Sequence, residues 1–239
     1  VALELVTGGG ELLRLSRRAD GELLDGAAVG LGCLGAVVRL TLAVEPACAV
    51  PQQMYSGLAL DQLEAHLDTL LGLAYSVSVF TDWKEARRTQ LLLKRRVGAA
   101  GADDPDELFG ARRAAVPRHP IIELAADNCT EQLGLPGPWH ERLPHFRLEF
   151  TPSVGEELQS EYFVPRARAG EAVALLRGLA PLLSPVLQIS ELRSVAADEP
   201  PSGRGLTGAS CSRSSRPPCR PPTRVSATFD ASPRNSTRR

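Results

Sequence analysis

The sequence has almost no lysine, although it is not poor in basic residues. Lys84 and Lys94 are the only lysines among 27 basic residues, and all the others are arginines. The formal net charge is −1, so the chain as a whole lacks the basic excess that is typical of nucleic-acid-binding proteins. Together with abundant alanine, glycine and proline, the preference for arginine indicates a gene of high GC content.

Long apolar runs, targeting signals and metal-ligand spacings are also missing. No run approaches the roughly 20 apolar residues that cross a bilayer, and no signal peptide opens the chain, which argues against a membrane partner. The five cysteines are scattered, and neither they nor the four histidines have metal-ligand spacing. We therefore expect a cytoplasmic protein with reduced thiols and no bound metal.

The hydrophobic pattern divides the chain at a proline-bounded stretch, residues 46–51. Before it, residues 1–6 and 11–16 predict a hairpin around a glycine turn, followed by a short helix capped by Asp20. A second glycine turn leads into a strand at 36–44. We predict a first domain over residues 1–48 and a second over residues 49–198.

The second part alternates strands with amphipathic helices, which is typical of an α+β fold. Apolar residues at helical spacing predict one helix beginning at Leu60 and another over residues 171–183. The stretch 98–138 is rich in proline, glycine and aspartate and predicts a long irregular excursion. The predicted strands cover residues 52–56, 75–80, 89–95, 146–150, 162–164 and 187–195.

The composition changes abruptly after Asp198. Residues 200–239 are dominated by Arg, Ser and Pro, and Asp230 is their only acid. Because so few apolar residues cannot form a core, we predict a disordered tail over residues 199–239. The tail has two interpretations: a basic arm that binds nucleic acid or acidic lipid, or GC-rich codons read out of frame. The abruptness of the change favours the second.

The strand at 187–195 carries the candidate catalytic residues. Side chains alternate along a strand, so Glu191 and Arg193 should share a face with Leu187, Ile189 and Val195. Opposite charges bracketed by apolar residues are costly to bury unless they are paired or hydrogen-bonded. The pattern alone allows two interpretations, a structural ion pair or the polar end of a small-molecule pocket.

The glycine turn at 30–35 also allows two interpretations. Gly30, Gly32 and Gly35 precede a strand and could simply punctuate a turn, and the turn lacks the strand-before, helix-after context of a Rossmann loop. Alternatively, residues without a Cβ would let main-chain amides approach a ligand closely.

Seven segments, taken in order, resemble the alditol (xylitol) oxidase branch of the FAD-dependent aldonolactone oxidases, which are flavoproteins of the vanillyl-alcohol-oxidase type. Many segments in the same order are stronger evidence than any one of them, and the similarity runs nearly continuously from Val1 to Asp198. The segments are residues 29–42, 75–83, 129–134, 138–147, 149–152, 157–166 and 188–198.

This resemblance implies a fold, a cofactor and an activity. The fold would be the end of an FAD-binding domain plus most of an antiparallel-sheet substrate (cap) domain. The activity would be oxidation of a CH–OH group of a sugar alcohol or aldonolactone, as in D-arabinono-1,4-lactone oxidase, with oxygen as acceptor. The intact family member would be a monomer without a nucleic-acid partner.

The resemblance also implies roles for individual residues. Gly32, Gly35 and the backbone of Val37 would contact the FAD. Glu191 and Arg193 would hydrogen-bond the substrate hydroxyls beside the flavin ring, where a fixed acceptor and donor orient the substrate and stabilise a developing alkoxide.

Some parts of the family pattern have no counterpart in this sequence. These are the phosphate-binding glycine-rich loop with its flavin-tethering histidine, and a threonine and a lysine that should fall where residues 199–239 stand. We therefore expect a product truncated at both ends, inactive by itself, with an open sheet edge after residue 198. The competing hypotheses are a non-catalytic remnant or partner-binding domain, and a nucleic-acid binder acting through the basic tail.

Overall fold

The computed structural model describes residues 1–84, 88–98, 104–150, 157–196 and 224–231. Its first unit, Val1–Pro46, contains a β-hairpin, one helix and a third strand. The hairpin turn places Gly10 at φ 83°, a value that glycine adopts without strain. The resulting three-stranded antiparallel sheet has the order β2-β1-β3. Its elements are β1 (Ala2–Val6), β2 (Leu12–Ser16), α1 (Arg17–Ala28) and β3 (Ala36–Thr41).

The helix α1 begins three residues before the predicted cap. Ser16 is the N-cap, and its hydroxyl accepts a hydrogen bond from the Ala19 amide at 3.2 Å. Asp20 lies in the first turn, and its carboxylate accepts from the Ser16 amide at 2.9 Å, so the two side chains cap the helix reciprocally. One face of the helix packs Leu24 against the sheet and forms a small core with Leu3, Leu5 and Leu15.

An antiparallel sheet of eight strands dominates the second unit, which begins at Ala47. The order of its strands is β11-β13-β12-β6-β7-β5-β9-β8, and a separate two-stranded ladder joins β4 to β10. The strands are β4 (Ala49–Val50), β5 (Gln52–Leu58), β6 (Ser76–Thr81), β7 (Thr89–Lys94), β8 (Glu107–Leu108), β9 (Ala111–Arg113), β10 (Gly137–Pro138), β11 (Leu158–Pro165), β12 (Leu187–Val195) and β13 (Arg224–Ala231).

Two helices, α2 and α4, cover one face of this sheet, so the fold mixes helices with antiparallel sheet, as the α+β prediction required. The leucine periodicity that predicted α2 matches its buried positions, Leu60, Leu63, Leu67, Leu70 and Leu71. The helices are α2 (Leu60–Leu71), α3 (Trp139–Arg142), α4 (Ala169–Gly178) and α5 (Ala180–Leu183). Within the described ranges, no helix is both long and apolar enough to cross a membrane.

Two local predictions were wrong. The predicted helix over 171–183 is split into α4 and α5, because Gly178 ends the first helix and Pro181 lies in the first turn of the second. The predicted strand over 146–150 makes a single isolated bridge, between Phe146 and Cys129. Further along this segment, the Phe150 amide bonds the Arg147 carbonyl at 3.1 Å, which closes a turn.

The largest correction concerns the tail. Residues 199–239 were predicted to be disordered and to leave an open edge beside β12, but Arg224–Ala231 form strand β13. This strand pairs antiparallel with β12 on one side and with β11 on the other. Backbone pairing on both sides explains how a segment so poor in apolar residues enters a sheet. The rest of the tail, including most of the proposed basic arm, lies outside the described residues.

Candidate active site

The eight-stranded sheet has one apolar face and one partly polar face. Leu91 and Leu93 in β7 point to the helices and join the main hydrophobic core. The alternate positions on the central strands carry Ser78, Lys94 and Glu191, beneath the loop segment that runs between β9 and β11. The loop shields these polar groups from solvent.

Glu191 lies on this polar face with its side chain only 16% exposed. Its Oε1 is 3.1 Å from Nε2 of His145. Burial acts to raise the pKa of Glu191, but the hydrogen bond from His145 outweighs burial and lowers that pKa to about 2. The site therefore contains a shielded carboxylate that stays ionised at neutral pH.

Arg193 is on the same face of β12, two residues beyond Glu191, and is more exposed. Its guanidinium donates to Glu161 of β11 at 3.1 Å, and its side chain is 45% exposed. The positive charge of Arg193 also helps to lower the pKa of Glu191. The two predicted catalytic residues thus share a face, but Glu191 is held from the loop side and Arg193 toward the sheet edge.

The opposite face of β12 is fixed to the core. Ser190 is fully buried, accepts a hydrogen bond from the indole Nε1 of Trp83 at 2.9 Å and donates to the Thr81 carbonyl at 2.8 Å. Trp83 is itself buried, with φ at 59°, a left-handed conformation that is uncommon for a bulky residue. The strand that carries Glu191 is therefore anchored directly behind that residue.

The sequence placed Leu187 on the wrong face. The pairing with β13 shifts register between Leu187 and Ile189, which is the signature of a β-bulge. As a result Leu187 joins the main core, while Ile189 packs on the polar side near Met54 and Phe80. The bulge accommodates one extra residue, so strict alternation holds only from Ile189 onward.

Lys94 completes the site and was not among the predicted residues. It is fully buried at the end of β7, and its ammonium contacts three acceptors on one stretch of the loop. Nζ is 2.5 Å from the Leu143 carbonyl, 3.2 Å from the Pro144 carbonyl and 3.3 Å from Nδ1 of His145. Burial lowers the pKa of Lys94 to about 7, although the negative charge of Glu191 opposes this shift.

A signal for Lys94 was present in the sequence. In a chain that otherwise uses arginine, one of two lysines directly follows Leu91-Leu92-Leu93, a run that belongs inside a sheet. A lysine in such a place is expected to be buried and to need partners. His145 offered no comparable signal, because its partner Glu191 is 46 residues away along the chain.

The three proposed cofactor residues, Gly32, Gly35 and Val37, lie in the first unit and differ in their surroundings. A Cβ on Gly35 would stand 2.1 Å from the Val6 carbonyl oxygen, so strand packing alone requires glycine there. Gly32 has a φ of 78° and open space around its Cα. All six residues of β3 are exposed, including Val37 at 51%, so this strand remains available for contact with a ligand.

No group of three or more His, Cys, Asp or Glu side chains that could hold a metal ion occurs in the part of the chain that the structure describes. The thiol of Cys129 is buried. Burial raises its pKa to about 11, which keeps it protonated and unreactive at neutral pH.

The buried lysine should make stability depend on pH. The pKa of Lys94 falls from an ordinary value of 10.5 to about 7 on folding. Between these values the unfolded chain binds more protons than the folded one, so the free energy of unfolding rises with pH. Relative to Lys94→Met, we expect the parent chain to gain about 1–2 kcal/mol from pH 7 to 8.5, measured by urea denaturation.

The other lysine supplies the control for this experiment. Lys84 has a side chain that is 46% exposed, so Lys84→Met should leave the pH dependence of the parent chain unchanged. A parent chain and a Lys94→Met variant with parallel stability profiles would contradict a titrating lysine at this site.

Comparison with known proteins identifies the family. No family model matches the chain. Alditol oxidase of Streptomyces sp. (strain IKD472 / FERM P-14339) is 48% identical to it over 198 residues, which is 82% of this chain and 46% of that protein. The chain thus spans about half the length of the curated relative that it matches. With this identity over most of its own length, the chain belongs to the alditol oxidase family.

Proposed function

We propose that this chain carries the substrate-binding part of a flavin-dependent oxidase of sugar alcohols, in which Glu191 and Arg193 hold the substrate. The observation that supports the proposal is the state of Glu191, a shielded carboxylate that is kept ionised and fixed on the same sheet face as a guanidinium. The relative's name supports the class of substrate.

The pair is suited to a polyol. A carboxylate only accepts hydrogen bonds and a guanidinium only donates them, so together they bind neighbouring hydroxyls in one orientation. Because its pKa is about 2, Glu191 is a poor proton acceptor at neutral pH. Its role is therefore to orient a hydroxyl group and the adjacent C–H bond rather than to remove the hydroxyl proton.

Oxidation of a CH–OH group to a carbonyl removes a hydride from carbon and a proton from oxygen. When bound, FAD would supply the acceptor of the hydride, and oxygen would then take up the two electrons and two protons, one of them that lost by the hydroxyl, and leave as hydrogen peroxide. The protein residues contribute position and charge: Arg193 would stabilise the alkoxide that develops as the proton leaves.

The residues of the first unit fit a flavin nucleotide in part. Val37 and its neighbours in β3 offer an exposed apolar strand, and Gly32 leaves open space beside its backbone. Such a surface suits the apolar ring system and the main-chain contacts of a nucleotide. Gly35 adds nothing to this fit, since packing against Val6 explains it. We assign FAD contact to Gly32 and Val37.

A hybrid enzyme tests the proposal. The 198 residues of this chain that match the Streptomyces alditol oxidase replace their counterpart in that protein. We expect the hybrid to bind FAD and to produce hydrogen peroxide from sugar alcohols, with an aldonolactone as a second substrate in the same assay. A folded, flavin-containing hybrid that oxidises neither class would refute the proposed function.

A further inference from the structure

A single turn of the loop, residues 143–145, provides hydrogen-bond acceptors for the buried ammonium of Lys94. An ammonium has three N–H groups and no acceptor, and it meets three acceptors: two backbone carbonyls and Nδ1 of His145. Lys94 lies in the centre of the sheet, paired with β5 and β6, so its position is set by two neighbouring strands.

The same turn is held from a second side. The hydroxyl of Thr130 donates to the Pro144 carbonyl at 2.7 Å and accepts from the amide of Gln52 at 2.7 Å. The Thr130 backbone amide bonds the His145 carbonyl at 3.0 Å. Phe80 adds an edge-on contact with the imidazole, at 5.4 Å between the ring centres. Both the backbone and the ring of His145 are therefore fixed.

These contacts decide which nitrogen of His145 carries the proton. A charged lysine cannot accept, so Nδ1 must accept from it and Nε2 must carry the hydrogen of the neutral ring. Nε2 faces the Glu191 carboxylate, which also cannot donate, and the resulting N–H bond is satisfied at 3.1 Å. The chain of donors therefore runs in one direction, from Lys94 through His145 to Glu191.

We propose that Lys94 and His145 are positioning residues for the substrate-binding carboxylate, with the lysine anchoring the imidazole ring, in its Nε2–H tautomer, that holds Glu191 in place. The inference rests on the proposed function for the role of Glu191 in binding substrate. The contacts among Lys94, His145 and Glu191 do not depend on that function. Loss of the proton from Lys94 would remove the donor to Nδ1 and leave the ring held on that side by its backbone contacts and by Glu191 alone. The charged and titratable groups that act on Lys94 are Glu191, Cys129 and the imidazole of His145.

Nitrogen-15 NMR of the histidine rings in the full chain tests the tautomer directly, without cofactor or activity. A His145→Gln variant assigns the signals among the four histidines. In the parent chain and in Lys84→Met we expect Nδ1 to be unprotonated and Nε2 to be protonated. In Lys94→Met we expect Nε2 to stay protonated, because Glu191 cannot donate, but we expect a shifted Nδ1 signal and at least about tenfold faster exchange of the Nε2 proton with water.

A second variant separates the lysine from the carboxylate. Glu191→Gln should keep the tautomer, because Lys94 still donates to Nδ1. An Nε2 proton whose exchange with water is unchanged in Lys94→Met would overturn the proposal. If Lys94→Met fails to fold, a pH titration of the parent chain gives the same test. The His145 signals must then change as Lys94 loses its proton, and unchanged signals through that transition would also overturn the proposal.

The hybrid oxidase separates this inference from the proposed function. If Lys94 positions Glu191, Lys94→Met lowers kcat/KM for a sugar alcohol about tenfold, whereas Lys84→Met leaves it unchanged. A hybrid that loses nothing in Glu191→Gln, together with the expected tautomers, would refute the function and leave the positioning role standing. Full loss of activity in Glu191→Gln, with unaltered exchange of the Nε2 proton in Lys94→Met, would support the function and refute the positioning role.

Discussion

Replacing Glu191 by glutamine in the hybrid oxidase should lower kcat/KM for sugar alcohols by about ten- to a hundredfold or more, with the flavin content unchanged. The substitution keeps the size of the side chain but removes its charge, and a hydrogen bond to a charged group contributes about 1.5–3 kcal/mol. The effect should be this large because His145 holds the carboxylate in one place.

The measurement is steady-state formation of hydrogen peroxide, with flavin absorbance recorded on the same sample. Glu171→Gln serves as the matched control, since that glutamate lies on α4 with its side chain 64% exposed. Near-normal oxidation by Glu191→Gln would assign Glu191 to a structural network with His145 and remove it from the substrate site.

Deletion of residues 224–239 should convert most of the chain into aggregate. Strand β13 pairs with eight residues of β11 and eight of β12, so its removal exposes two inner edges of the sheet at once. Unpaired edges are templates for pairing with other chains. We expect the deletion variant to elute in the void volume of a sizing column and to lose the cooperative melting of the parent chain.

The shorter deletion of residues 232–239 keeps the strand and should behave like the parent chain. Ala227→Pro gives an independent check, because proline removes a backbone donor from a strand that is paired on both sides. A monodisperse, cooperatively folding 224–239 deletion variant would contradict a structural role for β13.

Local patterns in the sequence predicted the elements that local patterns determine. The leucine spacing located α2, the glycine turn located the first hairpin, and the strand with Glu191 and Arg193 was found at Leu187–Val195. These features depend on periods of 2 or 3.6 residues, which can be read within a short window. The contacts of the structure divide after Pro46, at the start of the proline-bounded stretch 46–51.

The features that the sequence did not reveal depend on distant partners. Lys94 and His145 meet across 51 residues, and no spacing rule relates them. The bulge before Ile189 depends on pairing with β13, a strand that was read as disordered. Within β13 itself, Val225, Ala227 and Phe229 alternate with polar residues, which is a strand pattern. The overall composition of the tail concealed this alternation.

The position of β13 also sets the order in which the sheet can be completed. It is the last of the described strands along the chain, yet it lies between β11 and β12, both of which are synthesised earlier. On the ribosome, those two strands must wait with open inner edges until residues 224–231 have emerged. Closure of the sheet is therefore a late event that competes with pairing between nascent chains, so the yield of folded protein is decided kinetically during synthesis.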